Sequence, residues 1–307
     1  MPSIELEKVA PHRPYEAGPF RMAMGLTAVA AAHWLEFADD HAVQMAERDR
    51  LLAETPELVL ACLPEAEVAA AELLEVLQAH LCTHHAAWFV REGDALHNRL
   101  RDRRIDLAAP APPLAVIGRL VQEDFCLMQA HPDGHRLVGA VLCFPTRWSL
   151  AEKLGKPLPL VHERVPFYGD RLAAPVERFF ASLKDGRLAQ RLNWSVIDDA
   201  ALYQLAGKGR GGIDPTITPN NALRRLYLRV ERQTFRRLSV SRVVVFGIRV
   251  HVTSLDRVAT EPGEAARLSD ALGALPDEMI SYKSTGRFSA ALQQALNDVG
   301  TSKGALL

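Results

Sequence analysis

LRRLYLRVERQTFRRLSVSRVVVFGIRVHVTSL, residues 223–255, reads as two long strands joined near Ser239–Ser241. Apolar and β-branched residues recur there with a period of two, the spacing of a half-buried strand. Leu226, Leu228 and Val230 in the first strand are expected to share one apolar face with Val244, Phe246, Ile248 and Val250 in the second. The first strand carries unusual charge for a central position. Arg229, Glu231 and Gln233 alternate onto one side, and Leu228, Val230, Arg232 and Thr234 onto the other. That pattern has two readings: a solvated sheet face laced with cross-strand ion pairs, or a wall that looks into a binding pocket.

Upstream, residues 112–130 and 134–145 (PPLAVIGRLVQEDFCLMQA and GHRLVGAVLCFP) also read as β-rich, and Asp133-Gly134 between them is a hairpin signal. Residues 170–186 return to helical spacing and end at Gly186 as a C-cap. Residues 191–198, RLNWSVID, are short and strand-like. Residues 205–220, LAGKGRGGIDPTITPN, form a Gly/Pro-rich loop near a site; the GKGRGG run lacks the phosphate-loop pattern. The first third reads as helical: residues 24–37, His41–Glu54, and residues 64–85 opened by Pro64. Residues 264–275 and 286–299 are helical again. The expected fold is α+β, with at least four antiparallel strands in two hairpin-like pairs and an insert between them. This order matches a PAS-like sheet, in which the insert walls a ligand pocket, and the pattern alone does not separate it from other α+β folds. The division follows: a helical region at 1–110 beginning with a polar arm to about Gly18, a core at 111–260, and C-terminal helices at 261–307.

Composition excludes several classes. Among 307 residues, 36 Lys+Arg nearly balance 37 Asp+Glu, so no global field favours nucleic acid or an anionic membrane. Cys62, Cys82, Cys126 and Cys143 are scattered, which argues against a zinc or iron–sulfur cluster. Three of them lie in apolar stretches and are expected to be buried thiols in a reducing compartment. No secretory leader and no apolar run of membrane-spanning length are visible, so the expectation is a cytoplasmic protein.

His162 stands out among the histidines. It sits just before Pro166 and Tyr168, beyond an apolar strand, where a neutral imidazole can ligate haem iron; the bland alternative is a solvated loop histidine beside Glu163 and Arg164. His84 and His85 end a helix and complement its dipole, His131 and His135 bracket a turn and are expected to be solvated, and His251 is the second candidate ligand.

Two segments carry a resemblance. Residues 143–172, CFPTRWSLAEKLGKPLPLVHERVPFYGDRL, and residues 226–252 resemble the α-subunit-like proteins of haem-dependent oxidative N-demethylase. The specific elements are Trp-Ser-Leu from Trp148, Gly-Lys-Pro from Gly155, His-x-x-Val-Pro from His162 and the charged strand Arg229–Leu238, and the likeness runs roughly from Phe20 to Tyr282. It implies a PAS-like fold holding haem b, oxygen activation, and oxidation of a secondary methylamine such as dimethylamine, with electrons from a separate flavin and iron–sulfur reductase. It makes His162 the iron ligand. Arg232 and Arg236, with Arg237, become propionate partners; Trp148 and Tyr168 line the cofactor, with core packing as the plainer reading of Trp148. Glu231 orients an ammonium substrate or holds an arginine, and Tyr282 and Lys283 close the pocket. The chain departs from the family pattern at Ser239, where proline is usual, and at Ser284, where glycine is usual; loss of that glycine bears on a tight turn near the pocket. The alternative function is a non-catalytic haem or small-ligand sensor, because fold does not fix function.

Overall fold

A computed structural model of the chain describes residues 9–107, 110–206 and 209–304. Its strands are β1 (Thr27–Ala28), β2 (Leu60–Cys62), β3 (Phe89–Glu92), β4 (Ala95–Asn98), β5 (Arg103–Asp106), β6 (Asp124–His131), β7 (Gly134–Val141), β8 (Leu188–Ile197), β9 (Tyr227–Arg237) and β10 (Val244–Ser254). Seven of them form an antiparallel sheet in the order β1-β8-β9-β10-β6-β7-β2; β3-β4-β5 make a second, small sheet. Helices flank the sheet, so the fold is α+β. The hairpins β6–β7 and β9–β10 meet side by side through β6 and β10, and the chain between β7 and β8 is free to cover one face.

The β9–β10 hairpin is paired from Tyr227 opposite Ser254 to Arg237 opposite Val244. Leu238 donates its N–H to Val243, which leaves the four-residue turn Ser239–Arg242. This turn length corrects the expected facing. Glu231 stands opposite Val250, Gln233 opposite Ile248 and Phe235 opposite Phe246, so the charged row shares its face with Phe246, Ile248 and Val250. Leu228 and Val230 lie on the other face with His251 and Arg249. At Gly247 the strands leave no room for a side chain: a Cβ there would meet Thr234 Oγ1 at 2.5 Å and Phe125 Cε1 at 3.0 Å.

The face carrying Phe125, Val245 and Arg232 packs against Trp34, Phe37 and the helices at 41–54, 67–84 and 113–120. A second apolar cluster joins the sheet end at Val196, Leu228 and Val230 to the helices at 255–260, 264–273 and 289–304. Three sequence expectations change here. Residues 24–37 are not a helix; they hold β1 and one 3₁₀ turn, Ala31–His33. The Arg232 guanidinium supplies donors to the carbonyls of His33 and Trp34 that a helix would have satisfied internally. Residues 113–120 are helix rather than strand, opened by Pro113 at its first turn; a short run that is apolar at every position but Arg119 carries too little period to tell the two apart. The first third also contributes β1, β2 and the small sheet, so it is not purely helical. Of the cysteines, Cys126 and Cys143 are buried, Cys82 is half-buried and Cys62 is exposed. Gly207 and Lys208 of the GKGRGG run, and the first eight residues of the polar arm, lie outside the described residues.

Candidate functional site

A cavity of about 650 Å³ opens on the charged face of the sheet. Its floor is Glu231 and Gln233 of β9, Phe246 and Ile248 of β10, Cys126 of β6, and Arg191 and Asn193 of β8. The chain between β7 and β8 forms its roof. Leaving β7, the segment from Cys143 to Trp148 is anchored by Asp124, which accepts the N–H groups of Cys143 at 2.7 Å and Phe144 at 2.8 Å. Arg229 reaches through from β9 to the Phe144 carbonyl at 2.8 Å and to Thr146 Oγ1 at 2.9 Å. Thr146 in turn donates its hydroxyl to Glu231. The roof then runs through the short helix Leu158–Val161 to His162, and on to one π-helical turn, Tyr168–Leu172. Phe167, just before that turn, and Arg147 both hold left-handed backbones (φ 63° and 59°), a conformation that non-glycine residues keep only where the surroundings enforce it.

His162 lines the cavity. Its Nδ1 lies 2.9 Å from the Leu158 carbonyl, an acceptor, so Nδ1 carries the hydrogen and Nε2 carries the lone pair. The ring stacks on Tyr168, with centroids 4.3 Å apart and planes 10° from parallel. Glu231 is the one carboxylate on the floor. Burial pushes its carboxyl up, but the Thr146 hydroxyl, the Arg229 guanidinium and the amides of Asn193 (3.2 Å) and Gln233 (2.9 Å) outweigh this and hold it below the usual carboxylate range. Lys283 sits on the rim and donates to the Trp194 carbonyl. Burial lowers its ammonium to about 8 against the pull of Glu231. Burial raises the Tyr282 hydroxyl, and Glu231 raises it further. Lys153 stands 4.4 Å over the Trp148 ring, also at the cavity.

Residues 25–293 match the family model described as haem-dependent oxidative N-demethylase, alpha subunit-like. The chain belongs to that family.

The donor set of this family member suits a haem. The volume lies in the range of cofactor pockets. Phe144, Val161, Leu172, Phe235, Phe246 and Ile248 supply apolar wall, and His162 supplies a neutral nitrogen. Arg191 and Lys153 form no salt bridge among the described residues, although each feels the charge of Glu231, and such cations suit the propionates of a macrocycle. Arg191 Nε and the Tyr168 hydroxyl are buried without a hydrogen-bond partner among the described residues, two polar atoms that a ligand's oxygens can satisfy.

The cavity brings together His162, Glu231, Tyr168, Trp148, Tyr282 and Lys283. It leaves out the arginines expected at the propionates. Arg232 is on the opposite face, 2% exposed, bound to Gln190, the His33 and Trp34 carbonyls and Glu36. Arg236 also faces away and lies 4.5 Å over Trp34. Arg237 shares the cavity's face but is committed to the carbonyls of Phe180, Leu183 and Arg242. The cause is the strand period of two: once Glu231 looks into the cavity, Arg232 cannot. Arg191, on the neighbouring strand opposite Gln233, is the arginine that sequence reading missed. The period of two puts it on the side of Asn193, but only the pairing of β8 with β9 decides that this side looks into the cavity. His251 lies on the far face, and His135 is not solvated: it is 5% exposed and bound to Glu177 at 2.7 Å. Ser284, where family members usually carry glycine, keeps the left-handed turn at φ 58°, and its hydroxyl accepts the Arg210 N–H at 2.9 Å.

Proposed function

We propose that this chain is the haem-binding subunit that removes an N-methyl group from a small secondary amine such as dimethylamine. The reaction takes O2, two protons, and two electrons from a separate flavin and iron–sulfur reductase, and yields the demethylated amine, formaldehyde and water. The strand order and the β7–β8 roof support the PAS-like reading. One observation carries the function: an ionised carboxylate, Glu231, shares an apolar cavity with the oriented imidazole of His162.

His162 Nε2 would hold the iron of haem b, with Leu158 fixing the ring and Tyr168 stacking on it. Arg191 and Lys153 would take the propionates, and Trp148 and Tyr168 the macrocycle's edge. Haem, when bound, supplies an iron centre that activates oxygen for insertion into a methyl C–H bond. Glu231 binds the protonated amine and sets the methyl group's position; its low pKa makes it a counter-ion rather than a proton acceptor. Lys283, near 8, is the group suited to exchange one proton at the substrate nitrogen, taking it from the bound ammonium and returning it to that nitrogen as the C–N bond breaks, while the carbinol O–H proton leaves to water. Tyr282 narrows the mouth and excludes water.

The test is a spectrum and an assay on the full chain expressed with ample haem. The expected result is Soret absorption in the wild type, its loss or shift in His162→Ala, and formaldehyde release from dimethylamine with a surrogate reductase. Gas binding without formaldehyde would favour a sensor, and absence of any Soret band would overturn the reading.

A further inference from the structure

On the sheet face away from the cavity, three side chains converge that the function above does not use. His12 comes from the N-terminal arm, Glu36 follows the 3₁₀ turn, and His251 projects from β10 opposite Val230. His12 Nε2 lies 3.1 and 3.2 Å from the two Glu36 oxygens, and His251 Nε2 lies 2.9 Å from Glu36 Oε2. The candidate ligand atoms all fall within 4.8 Å of one another. We propose that His12, Glu36 and His251 form a zinc(II) site that fastens the N-terminal arm to the sheet.

The chemistry of the set is two imidazoles and one carboxylate, a donor combination that zinc takes with a solvent molecule in the fourth position. Tetrahedral bonds of about 2.0–2.1 Å place neighbouring ligand atoms about 3.3 Å apart, so both nitrogen-to-carboxylate spacings need only a few tenths of an ångström of adjustment. Closing the two rings, whose centroids are 4.9 Å apart, supplies the rest. Water has access: the three side chains are 15–19% exposed. Arg232 holds Glu36 Oε1 at 3.1 Å and leaves Oε2 facing His251. That guanidinium also opposes a second cation, so the site binds more weakly than a closed four-ligand site.

The position gives the site a consequence. Directly downstream of His12, Pro14 and the stretch Glu16–Met24 line the cavity. Zinc at His12 therefore fixes one end of a cavity wall. Of the three ligands, His12 precedes residues 25–293, which match the family model, and Glu36 and His251 lie within them.

The experiment uses the full chain stripped with a chelator and titrated with zinc chloride, with cobalt(II) as a spectroscopic probe. One zinc per chain is expected, with tetrahedral cobalt absorption and slower tryptic cleavage after the exposed Arg21. His12→Ala, which alters only the arm, should lower affinity at least tenfold and abolish the protection; His251→Gln should do the same. His162→Ala should leave zinc stoichiometry unchanged, which separates this site from the cavity. Less than one zinc per chain, or equal affinity in wild type and His12→Ala, overturns the proposal and leaves a hydrogen-bonded latch.

Discussion

Asp124→Ala tests the link between the core and the cavity roof. Asp124 and Arg48 are both fully buried and meet at 2.5 Å. The same carboxylate accepts the N–H groups of Cys143 and Phe144. Removing it strands a guanidinium, which costs about 3–5 kcal/mol, and two backbone donors, at about 1–3 kcal/mol each. The three losses share one site and do not add in full, so about 5–8 kcal/mol is the expected total. For a chain of 307 residues, an unfolding entropy of about 0.6 kcal/mol/K turns this into a drop of roughly 10 °C in Tm. Urea unfolding followed by circular dichroism measures the loss directly, with an unchanged m-value. The double variant Arg48→Met/Asp124→Leu removes both charges and should recover more than half of it. The roof beyond Phe144 carries Thr146 and Trp148, so Asp124→Ala should also weaken haem retention. A loss under about 2 kcal/mol, or no recovery in the double variant, would refute the reasoning.

Four further outcomes are expected. Glu231→Gln should raise KM for the amine at least tenfold at unchanged haem content, and should move the Lys283 transition below about 8 because its raising partner is gone; steady-state kinetics across pH reads both. Lys283 is held near 8 in the folded chain and near its ordinary ~10.4 when unfolded, so the unfolded state binds more protons between those values and stability rises with pH across that window. Lys283→Met should flatten that rise in urea titrations at pH 8 to 10. Arg232→Gln should lower stability by more than about 2 kcal/mol, since the carbonyls of His33 and Trp34 lose their donors, while the Soret band stays unchanged. Gly247→Ala should cost about 1–3 kcal/mol, because its methyl would overlap Thr234 Oγ1 and press on Phe125.

Much of the architecture was legible in the sequence because its cues are local. The period-two runs located β7, β9 and β10, Asp133-Gly134 located the β6–β7 turn, and Pro64 marked the approach to the helix ending at His84. The short apolar run at 113–120 was misread because a run buried on all sides carries no period, and the Ala-rich run at 24–37 because Thr27–Ala28 pairs with the edge of β8 and the Arg232 guanidinium takes up the His33 and Trp34 carbonyls, neither of which its own pattern encodes. Within the site, His162, Glu231, Trp148, Tyr168, Tyr282 and Lys283 were legible from motif resemblance, and all line one cavity. Arg191 was not, because the resemblance drew attention to the arginines of β9 and away from the single one in β8.

By itself the sequence determined which residues form the β9 strand and that Arg229, Glu231 and Gln233 stand on one side of it. Only the tertiary structure decided which side faces the cavity. The four-residue turn at Ser239–Arg242 sets which β10 residues stand opposite that row, and the segment from Cys143 to Leu172 roofs one face while Trp34 and the N-terminal helices cover the other. Register is a relation between two strands, and burial is a relation between a face and whatever packs on it. Neither is a property of one stretch of chain.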